Sequence, residues 1–182
     1  MLARVLYTFL VSVLLAMTLQ PFASFSVAAQ ALRGTKVALV IGNNRYDQLA
    51  ELRNPKRDAA AISDRLRARG FNVSELFDAD AFAMHRAVDT FVRQAEGADI
   101  ALFYFSGHGM LDEEGHLYFA LKDTEFEVPR ASSLSAEFVR EAMDRTRSQR
   151  VVLILDCCHS GAFAKGMKGP ATLALQDRFR ID

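Results

Sequence analysis

The sequence predicts an α/β domain, a three-layer α/β/α sandwich built around a mainly parallel sheet. Segments typical of strands and helices alternate four times, in the order that parallel strands and their crossover helices follow along a chain. Two strand segments, 100–105 and 151–155, are continuously apolar, as strands covered by helices on both faces are. The length of 182 residues and the hydrophobic fraction of 51% suffice for one domain with a core.

The first half of the chain supplies two strands and two helices. The run TKVALVIGNN predicts the first strand, because its β-branched residues end at Gly42 and two asparagines. Asn54 and Pro55 open the first helix, since proline suits a first helical position, and Gly70 ends it. The run FNVSEL follows as a strand, and Asp80 then caps a second helix. The apolar residues that recur at helical spacing along this helix are Met84, Val88, Phe91 and Ala95.

The second half repeats the alternation. The run 100–105 is the third strand, and the turn residues 113–115 predict a hairpin between Met110 and the segment HLYFAL. The run 150–155 is the fourth core strand, and residues 165–182 form an irregular tail.

A third helix is predicted between the hairpin and the fourth strand. Ser135 is placed to cap this helix, which continues to about Arg147. Leu134 and Val139 flank the cap as a hydrophobic staple, which fixes how the chain enters the helix.

Residues 1–29 have the three-part pattern of a secretory signal peptide. Arg4 supplies a positive charge, the run 5–19 is apolar, and small residues at 27–29 provide a cleavage site. We therefore expect cleavage after Ala29 and export to a periplasmic or extracellular location. The alternative is an uncleaved N-terminal helix that anchors the chain in a membrane.

The charge balance limits the class of partner. The chain has 22 basic and 22 acidic residues, a formal net charge of zero. A neutral balance argues against nucleic acid as the main partner. Beyond the N-terminal segment no stretch is apolar enough to cross a membrane, so membrane contact is expected only there.

The two cysteines, Cys157 and Cys158, are neighbours in the sequence. Exported proteins usually pair their cysteines across loops, but a bridge between neighbours closes no useful loop and strains the intervening peptide. A reactive thiol, a metal ligand and a buried hydrophobic side chain remain as interpretations. Neighbouring cysteines lack the C-x2-C spacing of common zinc sites, so no metal site is predicted. Cys157 is expected to be a packing residue.

Reactive residues follow the two apolar strands. The third strand leads into SGHG, which contains His108, and the fourth leads into DCCHSG. Ligands collect at the carboxyl ends of parallel strands, so neighbouring strands would bring His108 and one thiol together. An imidazole lowers the pKa of a nearby thiol from about 8.5 and supplies a proton to the leaving group, which suffices for acyl transfer. The N–H of Gly109 and that of the nucleophile are candidate oxyanion donors.

The pair of motifs FYFSGHG and LILDCCHSG resembles the caspase-like cysteine peptidases, and the second motif matches the metacaspase form. About 50 residues separate His108 from Cys158, which is the separation found in caspases. The resemblance begins at KVALVIGNNRY and implies a caspase-like fold, with a p20-like catalytic domain over residues 35–164.

The resemblance implies a cysteine endopeptidase, with His108 as its catalytic histidine and Cys158 as its nucleophile. Its substrates would be proteins or peptides. Metacaspases cleave after arginine or lysine and use acidic residues in the first specificity pocket, and Asp58 and Asp156 occupy the matching positions. Paired carboxylates suit a desolvated guanidinium. Caspases proper bind aspartate through arginines, the first of which aligns with Leu52 here, although Arg53 is adjacent.

Family members have two further strands after the cysteine loop, the p10-like part, and no apolar strand follows that loop in this sequence. The resemblance therefore leaves open a truncated tail over 165–182, a p10-like partner chain, a second protomer, or a catalytically inactive caspase-like module that binds or scaffolds a partner. No cofactor is expected, and calcium is suggested by family analogy alone.

Each candidate residue also has a structural interpretation. His108 taken alone could be a core histidine satisfied by hydrogen bonds. Asp58 lies in a first helical turn, where the helix dipole favours an acid, and Asp156 could cap the loop that follows its strand. The basic residues between 53 and 69 suit a solvated helix face better than a polyanion site.

Overall fold

The computed structural model describes residues 34–157, and from Thr35 onward these belong to one compact unit. The predicted signal peptide over residues 1–29, the predicted nucleophile Cys158 and the tail over 165–182 lie outside the described residues. Within the described part, no helix is both long and apolar enough to span a membrane.

Strands and helices alternate along residues 34–157 as the sequence predicts. The strands are β1 (Lys36–Gly42), β2 (Asn72–Phe77), β3 (Ile100–Ser106), β4 (Gly109–Leu111), β5 (Leu117–Phe119), β6 (Leu134–Ser135) and β7 (Val151–Asp156). The helices are α1 (Pro55–Arg67), α2 (Ala81–Gln94), α3 (Pro129–Ser132) and α4 (Ala136–Arg145).

Four strands form a parallel sheet in the order β2-β1-β3-β7. In both β1 and β3, six of the seven residues are buried, which explains their continuously apolar sequences. The two strands with reactive residues at their ends, β3 and β7, are neighbours. β2 lies on one side of β1, whereas β3 and β7 lie on the other. Open parallel sheets bind ligands at such a switch point, which here is between β1 and β3.

Helices cover both faces of this sheet. On one face, Ala59, Ile62 and Leu66 of α1 belong to a cluster with Val40 and Tyr104. On the other face, α2 and α4 pack over a larger cluster. The α2 and α4 residues buried in it are Met84, Val88, Phe91, Ala136, Val139, Ala142 and Met143. The predicted three-layer α/β/α sandwich around a parallel sheet is confirmed.

The predicted caps of two helices are confirmed. The Asp80 side chain accepts a hydrogen bond from the Ala83 N–H at 2.7 Å, at the start of α2. The Ser135 hydroxyl accepts one from the Phe138 N–H at 3.1 Å, at the start of α4. These side chains satisfy N–H groups that have no partner within the helix.

A second, antiparallel sheet of three short strands, β4-β5-β6, extends from the end of β3. Its first two strands form the predicted hairpin. Leu117, Phe119 and Leu134 join the cluster under α2 and α4, so this sheet is packed on that side of the domain. β6 and α3 have no counterpart among the elements that the sequence predicts.

The strand β7 is less covered than its neighbour. Leu153 is buried, but the other apolar residues of β7 are half-buried. Within residues 34–157, β7 pairs with β3 alone. Its outer edge is therefore open in the described part of the chain.

Candidate active site

The register between β3 and β7 brings the two reactive loops to the same edge. Ser106 pairs with Asp156 at the end of the ladder, and the Gly107 N–H donates to the Asp156 carbonyl at 3.3 Å. His108 follows two residues after Ser106. The end of β7 therefore lies beside the segment that carries His108.

His108 is half-buried and held at three points. Its Nε2 lies 2.8 Å from the Ala50 carbonyl oxygen. Its backbone N–H donates to the Tyr46 hydroxyl at 3.0 Å, and its ring packs 4.8 Å from the Tyr46 ring. A carbonyl oxygen can only accept a hydrogen bond, so Nε2 carries a proton and Nδ1 is the nitrogen able to accept another.

Tyr46 is a buried phenol that connects His108 to β1. Its hydroxyl donates to the Asn43 carbonyl at 2.9 Å while accepting from the His108 N–H. Burial raises the pKa of Tyr46 to about 12, and the charges of Asp78 and Cys157 add to the shift. The phenol therefore stays protonated near neutral pH and acts as a structural link, not as a base.

The loop after β1, which carries Tyr46 and Ala50, is fixed by the fully buried side chain of Asn43. The Asn43 amide nitrogen donates to the Ala120 carbonyl at 3.1 Å. The amide oxygen accepts from the Ala79 N–H at 3.2 Å. The Asn43 backbone N–H donates to the Ser106 carbonyl at 3.0 Å. Asn43, which follows β1, thus joins the ends of β2, β3 and β5 to it.

Asp78 fixes the same loop from its other side. Its carboxylate accepts from the backbone N–H groups of Asn44 and Arg45, at 2.8 and 3.1 Å, and pairs with Lys56 at 2.7 Å. Although desolvation raises the pKa of Asp78, the hydrogen bonds from Lys56 and the two N–H groups bring it below its usual value. Asp78 itself has a positive φ of 48°.

Gly107 fits its position because it has no side chain. A Cβ there would lie 2.8 Å from the Tyr46 hydroxyl and 3.0 Å from the Phe105 ring. The close approach of this backbone to Tyr46 allows the hydrogen bond to the next residue, His108.

The backbone N–H of Gly109, in β4, does not donate a hydrogen bond to β5. The Ala120 N–H donates to the His108 carbonyl at 2.9 Å, and the Asp112 N–H donates to the His116 carbonyl at 3.0 Å. Hydrogen-bonded and non-hydrogen-bonded pairs alternate along an antiparallel ladder. Gly109, which lies opposite Phe119, is therefore in a non-hydrogen-bonded pair, and its N–H points away from β5.

Cys157 is the last residue described, and it lies at the same edge as His108. It is half-buried and packs against the larger cluster. Cys157 directly follows Asp156, whose ladder partner Ser106 lies two residues before His108. The next residue, Cys158, lies outside the described residues.

Asp58 and Asp156 converge on Tyr104, on the α1 face of the sheet. Burial raises the pKa of Tyr104 to about 12, and the negative charges of Asp156 and Asp58 add to the shift. The Ser106 hydroxyl donates to Asp156 at 3.0 Å. The Asp58 side chain is 40% exposed. The two carboxylates thus act on one phenol of β3. Asp58 also forms an ion pair with the exposed Arg57, whose Nε lies 3.5 Å from its carboxylate.

A polar cluster lies on the hairpin that follows His108. Oxygen or nitrogen atoms of Asp112, Glu114 and His116 lie within 4.8 Å of one another, which is a spacing able to hold a metal ion. Arg130, however, forms ion pairs with both carboxylates. Although desolvation raises the pKa of Asp112, hydrogen bonds from His116 lower it well below its usual range. Arg130 and His116 thus already engage both carboxylates, and we assign the cluster no metal.

Sequence reasoning missed three groups that support the candidate residues. The role of the Ala50 carbonyl cannot be predicted from residue type, because every residue has a backbone carbonyl. Tyr46 and Ser106 lie within the motifs NNRY and FSGHG, but their roles depend on contacts across the sheet.

Comparisons with known proteins agree with this architecture. The family model described as "Caspase domain" matches residues 35–177. The human mucosa-associated lymphoid tissue lymphoma translocation protein 1 is 29% identical over 129 residues, which are 71% of this chain and 16% of that protein. Its mouse homologue is also 29% identical over 129 residues, 71% of this chain and 15% of the homologue. The chain therefore spans about a sixth of the curated relatives that it matches.

A solved structure supports the fold. The crystal structure of protein GSU0716 from Geobacter sulfurreducens superposes with a TM-score of 0.55 at 21% identity, covering 68% of this chain and 50% of that one. This similarity concerns the fold alone, whereas the family model covers most of the chain and confirms the resemblance found in the sequence motifs. The chain belongs to the caspase-domain family of peptidases.

Proposed function

We propose that the chain is a cysteine endopeptidase that uses His108 and Cys158 and cleaves after arginine or lysine. The observation that carries the proposal is the binding of His108 through Nε2 to the Ala50 carbonyl, which leaves Nδ1 available at the edge where β7 ends. Cys158 follows two residues after Asp156, just as His108 follows two residues after its ladder partner Ser106.

The reaction begins with proton transfer from the Cys158 thiol to Nδ1 of His108. The sulfur then attacks the carbonyl carbon of the scissile peptide bond, and the developing oxyanion is stabilised by the N–H groups of Gly109 and Cys158. As the C–N bond breaks, Nδ1 gives its proton to the leaving amine. Water then hydrolyses the thioester, which restores the thiol and releases the acid product. Throughout, the Ala50 carbonyl keeps the imidazole in one orientation.

Asp58 and Asp156 are proposed to bind the basic side chain before the scissile bond. Asp58 lies on α1, which packs on the cluster that contains Tyr104, and the charges of both carboxylates act on that phenol. The Ser106 hydroxyl fixes Asp156. A charge-assisted hydrogen bond contributes about 1.5–3 kcal/mol, so losing one carboxylate would lower kcat/KM about 10- to 100-fold for arginine substrates.

The catalytic proposal is tested with a thiol-directed arginyl fluoromethylketone, followed by mass spectrometry of the modified peptide. We expect modification of Cys158, and its loss in His108→Ala. Two matched controls use the other thiol and an exposed histidine on α2: Cys157→Ala and His85→Ala should both keep the labelling. A folded chain that is never labelled at Cys158 would instead be a caspase-like module that binds a partner without cleaving it.

Specificity is tested by comparing peptides that end in arginine, lysine or aspartate before the reporter group. Asp58→Asn and Asp156→Asn should each lower kcat/KM for the basic peptides. The control is Asp64→Asn, which changes an acid on the same helix with an 82% exposed side chain. Faster cleavage after aspartate would show that the two carboxylates have another role.

A further inference from the structure

A groove lies beside the hairpin that follows His108, and nothing in the proposed mechanism uses it. One wall is formed by residues 110–114, from β4 and its turn, and the other by residues 126–131, which include α3. Its volume is about 700 Å³. This volume suits several side chains of a peptide.

The groove concentrates exposed apolar side chains. Leu111 is 41% exposed, Phe126 68% and Val128 46%. These are three of the four strongly exposed large hydrophobic residues among residues 34–157, the fourth being Phe82 on α2. Apolar residues gathered in one place, unlike those scattered singly, mark a surface that binds a partner.

The rim of the groove is acidic. Arg130 pairs with both Asp112 and Glu114, so one positive charge offsets two negative ones. Glu113 and Glu127 are exposed, and neither has an ion-pair partner within the described part of the chain. The occupant that complements this surface therefore carries apolar side chains next to lysine or arginine.

The groove is continuous with the catalytic edge. β4 begins at Gly109, directly after His108, and two or three residues of extended chain take it about 7 to 10 Å further, to Met110 and Leu111. The carboxylates proposed to bind the basic side chain lie on the α1 face, whereas the hairpin packs on the side of α2 and α4. His108 is thus between the two, and the groove is on the side of the leaving amine.

We propose that this groove binds the segment of the protein substrate that follows the scissile bond, and that it selects an apolar residue flanked by lysine or arginine. The inference rests on the proposed peptidase function. The apolar walls desolvate one side chain of the substrate, while Glu113 and Glu127 attract its basic neighbours.

The test compares three peptides that are identical up to the scissile bond. The first ends one residue after it, the second continues for six residues with a Lys-Phe-Arg centre, and the third has Glu-Phe-Glu at that centre. We expect at least a tenfold lower KM for the basic extension than for the short peptide, and no such gain for the acidic one. The gain should disappear in Phe126→Ala and in the double variant Glu113→Gln with Glu127→Gln. Phe82→Ala, which removes the exposed phenylalanine outside the groove, should keep it.

Binding measured without turnover separates this inference from the proposed function. Fluorescence anisotropy of the labelled basic peptide is measured on Cys158→Ala and on Cys158→Ala with Phe126→Ala. Binding to Cys158→Ala that depends on Phe126, together with an unsubstituted chain that cleaves none of the three peptides, would support the groove and overturn the peptidase. Cleavage of the short peptide with no gain from the basic extension would overturn the groove alone. A concentration-dependent dimer in sedimentation that Phe126→Ala abolishes would assign the groove to a second copy of the chain, and would also overturn the inference.

Discussion

Replacing Tyr46 by phenylalanine removes one oxygen atom and tests whether this buried phenol positions His108. The substitution deletes the acceptor of the His108 N–H and the donor to the Asn43 carbonyl, while the ring that packs on the imidazole is kept. We therefore expect lower activity as well as lower stability. The loss of activity should lie in kcat, because Tyr46 acts through the histidine and not through the substrate.

The magnitude follows from the two hydrogen bonds. Tyr46 is 8% exposed, so water does not readily replace its hydroxyl. Each hydrogen bond contributes about 0.5–1.5 kcal/mol, so the free energy of unfolding should fall by about 1–3 kcal/mol. For a domain of this size, this corresponds to a Tm lower by about 3 to 10 °C. Small displacements of a catalytic group cost up to about 100-fold in rate, and we expect kcat to fall by about 10-fold or more.

The assay combines thermal unfolding with steady-state hydrolysis of a short arginine peptide. The matched control is Tyr118→Phe, which deletes a hydroxyl that donates to Asp112 at 3.2 Å and does not contact His108. Tyr118→Phe should lower stability without lowering kcat. If Tyr46→Phe kept the full kcat while losing as much stability as the control, the positioning role given to Tyr46 would be refuted.

Three other substitutions test the supporting structure. Gly107→Ala places a Cβ 2.8 Å from the Tyr46 hydroxyl, so we expect a loss of about 1–3 kcal/mol in thermal unfolding and a lower kcat, whereas an unchanged kcat would show that the loop adapts. Asp78→Asn removes the ion pair with Lys56 and should cost about 1–3 kcal/mol near neutral pH. Because the pKa of Asp78 in the folded protein is below its ordinary value of 3.8, its contribution to stability is present above that pH and is lost as the pH falls through the folded value. A difference in unfolding free energy between wild type and variant that stays constant down to acid unfolding would contradict this. Phe119→Ala in the fully buried cluster should cost about 3–5 kcal/mol in denaturant unfolding, and a cost below 1 kcal/mol would mean that the hairpin packs loosely.

The sequence predicts the main sheet and its helices because their signals are local and strong. The continuously apolar β3, the cap Asp80 and the cap Ser135 each specify an element within a few residues, and the structure has all three. The short α3 and the two-residue β6 carry too few residues to show a period. Their formation depends on contacts with the hairpin that no local pattern reports.

The candidate site was accessible from sequence only in part. His108 and Asp156 stand out because reactive residue types follow apolar strands, and the parallel register then brings their segments to one edge. The support of His108 comes from a backbone carbonyl at Ala50 and from Tyr46, which is 62 positions away along the chain. Contacts at that separation depend on strand order, which single-sequence patterns do not fix.

The four hydrogen bonds of Asn43 have a consequence for how the protein meets a ligand. Its donors and acceptors reach Ser106, Ala120, Ala79 and Tyr46, so the loops around the histidine acquire one conformation when the domain folds. These loops therefore lose their conformational entropy when the domain folds and not when a ligand binds. An incoming chain meets an imidazole that is already immobile. Preorganisation of this kind makes turnover depend on the local order of these loops, so damage to the fold at Asn43 should reach the chemistry before the domain visibly melts.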